Sequence, residues 1–236
     1  MATTINKLKL GSRLVLGAYS ATKHAPEPII WLKGNRENEF ISEYVLDVLE
    51  WDIKGRNDYN QSTIYNFMNS EDNYLFDEPN TGSYSNNAGF LCDFENYEID
   101  SIVGGINLPS NEDIFGGKMN LFNRKGRRAE PSGNLRGKGF YISYDRYMQY
   151  WFKDFTMSNQ SYSNVLGISR DGSYACRIGS SYRHGFRPKC KVKGDLVVEQ
   201  DANGLYHILP YETSYKNPSK IEVFDESDIW SLFGIK

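Results

Sequence analysis

Val-Leu-Gly-Ile-Ser-Arg-Asp-Gly-Ser-Tyr-Ala-Cys-Arg-Ile-Gly-Ser-Ser-Tyr-Arg-His-Gly-Phe-Arg-Pro-Lys-Cys-Lys-Val, residues 165–192, is the stretch whose reading decides the fold. Asp171-Gly172 supplies the positive-φ positions of a tight turn and predicts a β-hairpin about itself. A second turn at Gly179-Ser180-Ser181 then leads into a final strand that closes the core. Gly185-Phe186-Arg187-Pro188 opens that strand, and each residue has a reason to be there. Gly permits close backbone approach, Phe anchors in apolar packing, Arg offers a planar fork for buried carbonyls or a carboxylate, and Pro stops edge pairing.

Downstream, Leu196-Val197-Val198 and Tyr206-His207-Ile208-Leu209 flank Asn203-Gly204 and predict one more hairpin. Ser227 to Phe233, with Trp230 and Phe233, predicts a C-terminal helix whose apolar face docks on this chain or on a neighbour. Upstream, Tyr147 to Phe155 is strongly aromatic around Trp151. Leu8, Leu10, Leu14 and Leu16 alternate about Gly11-Ser12, predicting a first hairpin or two bent strands. Ile29-Ile30-Trp31-Leu32, turned back at Gly34-Asn35 toward Phe40-Ile41-Ser42, predicts a second antiparallel pair. Ser62 is placed to cap a short helix over 63–69, with Ile64, Phe67 and Met68 on one face. Ser110-Asn111-Glu112-Asp113 predicts another brief helix.

With 236 residues the chain is long enough for one generous module, 1–193, followed by an extension, 194–236, made of the hairpin and the short helix. Its 17 Tyr, 13 Phe and 4 Trp beside 21 Gly favour a loop-rich, β-containing fold over helical repeats. The net charge of −3 argues against bulk binding to nucleic acid, and no apolar run is long enough for membrane insertion. No apolar signal core follows Met1, which predicts synthesis in a host cytoplasm without export. The three cysteines, Cys92, Cys176 and Cys190, are expected to be reduced, although Cys176 and Cys190 flank the second turn and stand where they can face each other.

Leu16-Gly17-Ala18-Tyr19, Pro28-Ile29-Ile30-Trp31, the helix 62–69, Leu108-Pro109-Ser110, Tyr150-Trp151-Phe152, Asp171-Gly172 and Gly185-Phe186-Arg187-Pro188 follow one another in a set order. That order resembles an uncharacterised domain family of Gram-positive bacteria and their phages, itself similar to formylglycine-generating enzymes and C-type-lectin-like folds. The resemblance covers Leu16 to Val192. It implies an α+β, C-type-lectin-like fold of irregular antiparallel sheets with one or two short helices, in which the final strand returns beside the first. Formylglycine-generating enzymes use two closely spaced cysteines to hold copper. Cys176 and Cys190 do not match that spacing, so their catalysis does not carry over, and no cofactor or metal is expected.

The residues sort into three groups. Trp31, Phe67, Trp151, Gly172, Gly185, Phe186, Arg187 and Pro188 are expected to organise the fold. Lys118, Arg124, Lys125, Arg127, Arg128, Arg136 and Lys138, in the basic loop 118–138, are candidates for partner binding together with Trp230 and Phe233. The bland reading of the loop is a solvated segment. Tyr162, Tyr174 and Tyr182 are candidates for a surface that stacks on sugars or grips a protein. Glu78-Pro79-Asn80 matches the sugar-and-calcium triplet of C-type lectins, but its companion Trp-Asn-Asp is missing, and a plain turn is the simpler reading. His24, His184 and His207 fall in no nucleophile or metal motif. The expected function is a non-catalytic phage virion protein, a capsid-decoration, tail or baseplate component assembling with other virion proteins or itself. The alternatives are an adhesin for host-surface glycan or protein, and an enzyme related to formylglycine-generating enzymes.

Overall fold

The structure is a computed structural model that describes residues 2–21, 25–72, 82–84, 88–116, 124–137, 147–156 and 164–209. In chain order the strands are β1 (Ala2–Thr4), β2 (Arg13–Tyr19), β3 (Glu27–Lys33), β4 (Glu39–Ser42), β5 (Asp47–Glu50), β6 (Tyr150–Thr156), β7 (Asn164–Ile168), β8 (Ala175–Gly179), β9 (Arg183–Phe186), β10 (Lys189–Lys191), β11 (Val197–Gln200) and β12 (Leu205–Ile208). Among the described residues five short helices, where one or two were expected, lie between β5 and β6: α1 (Thr63–Met68), α2 (Asn96–Ser101), α3 (Asn111–Phe115), α4 (Arg124–Arg127) and α5 (Gly133–Gly137). The fold is α+β, mostly sheet with a few short helices.

A seven-stranded sheet runs β1-β11-β12-β2-β3-β4-β10, and a five-stranded sheet runs β5-β9-β6-β7-β8. All pairings are antiparallel except β12 with β2 and β6 with β9. The strand expected from the second turn to Val192 is two strands. β9 belongs to the smaller sheet, β10 pairs with β4 at the edge of the larger one, and the chain changes sheets at Arg187-Pro188. Proline ends the β9 ladder because it has no N–H to donate, while its carbonyl accepts from Ser42 N at 2.9 Å. Cys176 and Cys190 therefore sit in different sheets instead of facing each other, and none of the three cysteines is in a disulfide.

The hairpin of β7 and β8 forms where Asp171-Gly172 places it, but with a broader turn. Only Gly172 has positive φ, and the loop is closed by Ser169 N donating to Tyr174 O at 3.0 Å. The Asp171 carboxylate accepts from Ser169 and Ser173 and holds that loop. Only three residues join β8 to β9 although β6 and β7 lie between them, so the smaller sheet must curl. Ser180 O, in that link, accepts from the amides of Trp51 and Asp52 just beyond β5.

The β11–β12 hairpin lies between β1 and β2, so a boundary at residue 193 cuts through the larger sheet. Of the alternating leucines near the start, Leu14 and Leu16 lie in β2, whereas Leu8 and Leu10 precede it outside any strand and Leu10 is 58% exposed. β2 carries an irregularity between Val15 and Ala18, where Gly17 adopts φ +68°. Gly17 N donates to Glu98 Oε1 of α2 at 2.8 Å, and a Cβ there would run into the Phe94 ring.

The main core lies between the two sheets and α1. Ser62 caps α1 as its sequence predicts, and Ile64, Phe67 and Met68 are fully buried. Phe67, Tyr19, Phe90 and Phe186 form an aromatic cluster, with Phe186 and Phe90 centroids 5.1 Å apart and edge-on. Trp31 of β3 is fully buried and donates its indole N–H to Leu16 O at 2.8 Å. Along β6 the side chains alternate between two clusters. Trp151 points into the main core, while Tyr150 and Phe152 join Ile41, Val48, Ile114 and Leu135 on the other side.

Candidate functional site

Gly185 admits the backbone of Gln149, donating its N–H to Gln149 O at 3.1 Å, and a Cβ would come within 2.8 Å of Val45 Cγ1. Two residues later Arg187, 1% exposed, spreads its guanidinium over three segments. Nε donates to Ser42 O at 2.9 Å, and Nη1 donates to Arg127 O at 3.2 Å and to the Tyr150 hydroxyl at 3.1 Å. The cation also lies 5.0 Å from the centroid of the Tyr150 ring. Arg187 is thus the fork for buried carbonyls that its sequence context suggests, and it ties both sheets to α4. Burial pushes the Tyr150 phenol up, with Arg187 pulling the other way.

The basic segment is described from Arg124, and Lys118 and Lys138 lie outside the described residues. Arg124 and Lys125 fall in α4. The Arg127 guanidinium stacks 4.6 Å from the Phe115 centroid, and Arg128 stacks on Tyr147 at 5.3 Å while donating to Asp171 O at 3.1 Å. Arg136 pairs with Glu130 at 2.9 Å. These three arginines dock the segment onto the chain's own aromatic rings, carbonyls and carboxylate, which the charge pattern alone does not reveal.

Asp113, at the start of α3, is buried between Arg36 and Lys189, whose Nζ lies 2.8 Å from Oδ2. Burial alone would raise this carboxyl, but Lys189 and the Ser110 backbone and hydroxyl outweigh it and hold it below the usual range. The pair pins α3 to the β10 edge. Among the described residues no three His, Cys, Asp or Glu side chains converge as a metal site, and no helix is long and apolar enough to cross a membrane.

His184 of β9 stacks on Trp151, with ring centroids 4.8 Å apart. Burial holds its imidazole below the ordinary 6.5. As pH falls through about 6.5 the unfolded chain takes up this proton before the native one does, so stability declines from there down to the depressed native value. His184→Gln is expected to flatten the urea-unfolding free energy between pH 7.5 and 5.5, and a slope equal to that of wild type would refute this.

Exposed tyrosines flank β8 at both ends. Tyr174 (61% exposed) precedes the strand, Tyr182 (67%) follows it, and Arg177 projects from its middle into solvent. β8 pairs with β7 and, among the described residues, with no second strand. The Tyr182 end is braced. Tyr182 lies against Gly179, where a Cβ would sit 2.9 Å from its ring, and the neighbouring Ser180 carbonyl is held by Trp51 and Asp52. Tyr and Arg on a rigid support are the residue types that dominate binding energy at protein interfaces. Tyr162, Trp230, Phe233, His24 and Glu78-Pro79-Asn80 lie outside the described residues.

A recessed cleft of about 270 Å³, which the sequence does not announce, opens between the β2–β3 end and the start of α5. It is lined by Tyr19, Glu27, Pro28, Ile29, Ile30, Tyr44, Leu46, Ser132 and Gly133. No family model, no curated protein and no solved structure matches the chain.

Proposed function

We propose that the chain is a non-catalytic phage virion protein, a C-type-lectin-like module serving as a capsid-decoration, tail or baseplate component that meets other virion proteins or copies of itself. The observation that carries the proposal is the exposure of Tyr174, Arg177 and Tyr182 along β8, with Arg177 and the braced Tyr182 on one face of the strand. The lectin-like assignment draws on the predominance of antiparallel sheet alone: within Leu16 to Val192 the final strand, β10, pairs with β4 at the sheet edge and does not return beside β2 as the resemblance implies. The test is quantitative mass spectrometry of gradient-purified particles beside the soluble fraction. Co-sedimentation in fixed ratio to a major capsid or tail protein supports the proposal, and a wholly soluble protein overturns it.

The same two tyrosines favour a second reading, an adhesin for a host-surface glycan or protein. It predicts that Tyr174→Ala with Tyr182→Ala lowers retention on isolated cell walls by on the order of tenfold. The unfolding midpoint should be unchanged, because solvent-facing substitutions of this kind cost within about 0.5 kcal/mol. Undiminished retention of the double variant removes the adhesin reading.

A further inference from the structure

We infer that the cleft beside Glu27 is a binding site for a small organic cation, a protonated amine carried on a compact apolar body. Glu27 opens β3 opposite Tyr19 in the register and places its carboxylate on the cleft wall. No described residue hydrogen-bonds or ion-pairs with that carboxylate. Its Oε1 lies 2.5 Å from where a Cβ of Gly133 would stand, so the absence of a side chain there gives the carboxylate its place.

Apart from Ser132 and Gly133 on the far side, the rest of the wall is apolar or aromatic: Pro28, Ile29, Ile30, Tyr44 and Leu46 beside Tyr19. Behind it, Tyr19 donates its hydroxyl to the fully buried Asp47 carboxylate at 2.7 Å, so a second carboxyl group lies beneath the floor. The far wall is preformed. Ser132 N donates to Val45 O, and Val45 N to Glu130 O, each at 2.9 Å. A half-buried carboxylate without a partner gains a charge-assisted hydrogen bond from an ammonium group. Tyrosine rings attract the cation, and the apolar lining takes the hydrocarbon body. An anion meets the Glu27 carboxylate instead, and a neutral molecule leaves Glu27 unpaired. The volume limits the ligand to something smaller than a typical drug-sized molecule.

The experiment titrates the full chain with cyclohexylammonium, cyclohexanol and cyclohexanecarboxylate, followed by calorimetry and by NMR shifts of residues 27–30. Saturable binding of the ammonium ion is expected, on the order of tenfold tighter than the alcohol, with no binding of the carboxylate. Glu27→Gln should remove most of that preference at an unchanged unfolding midpoint. A parallel titration with n-butylammonium separates the two sources of such a group: tighter binding of the linear ion assigns the cleft to a lysine side chain of a partner, and tighter binding of the cyclic ion to a free small molecule. Absence of saturable binding, equal affinity for ammonium and alcohol, or a Glu27→Gln variant that binds as wild type does would each overturn the inference.

Discussion

Arg187→Met is expected to lower the unfolding free energy by about 3–5 kcal/mol, the range seen when one partner of a buried charged network is removed. Methionine keeps much of the apolar stem but none of the donors. The carbonyls of Ser42 and Arg127 and the hydroxyl of Tyr150 then lose a charged donor, the bonds to Ser42 and Tyr150 being buried and the one to Arg127 part-buried. Each such loss is worth on the order of 1–3 kcal/mol before relaxation. Arg187→Lys should recover only part of the loss, because an ammonium is a compact point charge and cannot span three segments as a planar fork does. For a chain of this size the methionine variant should melt on the order of 10 °C lower. Urea unfolding monitored by tryptophan fluorescence checks this, and a loss below about 1 kcal/mol would show that the junction between the sheets holds without the guanidinium.

The same junction marks the limit of what the sequence makes legible. Gly185-Phe186-Arg187-Pro188 is readable residue by residue, since close approach, anchoring, fork and ladder stop are local properties. That β9 and β10 belong to different sheets is not local. It follows from β9 finding β5 more than a hundred residues earlier and β10 finding β4. Hairpins at Asp171-Gly172 and Asn203-Gly204 and the Ser62-capped helix are legible for the same reason as the fork, because their signals span only a few residues. The place of β11–β12 between β1 and β2 is set by pairing with the first strands and leaves no local mark. Helix α2 escapes the apolar-period test because Asn96–Ser101 has little apolar pattern; its signal is Glu98, which accepts from both Glu95 N and Gly17 N. The Glu27 cleft is assembled from four separate segments, so no window of sequence contains it. The solvent-facing tyrosines Tyr174 and Tyr182 are visible in the sequence as aromatic residues in turns, but their exposure depends on β8 ending its sheet.

Trp151→Ala should be comparably destructive, at about 3–5 kcal/mol, the usual cost of deleting a large buried aromatic side chain. The indole is fully buried and spans β9: its ring lies on His184 while its N–H reaches across to Leu49 O of β5 at 2.8 Å. Trp51, just beyond β5, returns the connection by donating to Phe152 O of β6 at 3.1 Å. Two indoles thus cross-link β5 and β6, strands that are not neighbours in the sheet, over the strand between them. Trp151→Phe keeps an aromatic ring but leaves the Leu49 carbonyl without its donor, so it should lie between wild type and alanine, at about 2 kcal/mol. A second observable separates a structural role from a surface ligand platform. Removing the indole opens His184 to water, so the imidazole should titrate closer to 6.5 in any Trp151→Ala protein that remains folded at low temperature. NMR titration of His184 in both proteins measures this directly. An unmoved imidazole together with a small stability loss would mean that Trp151 does not shield the β9 strand, and the bridge between β5 and β6 would then rest on Trp51 alone.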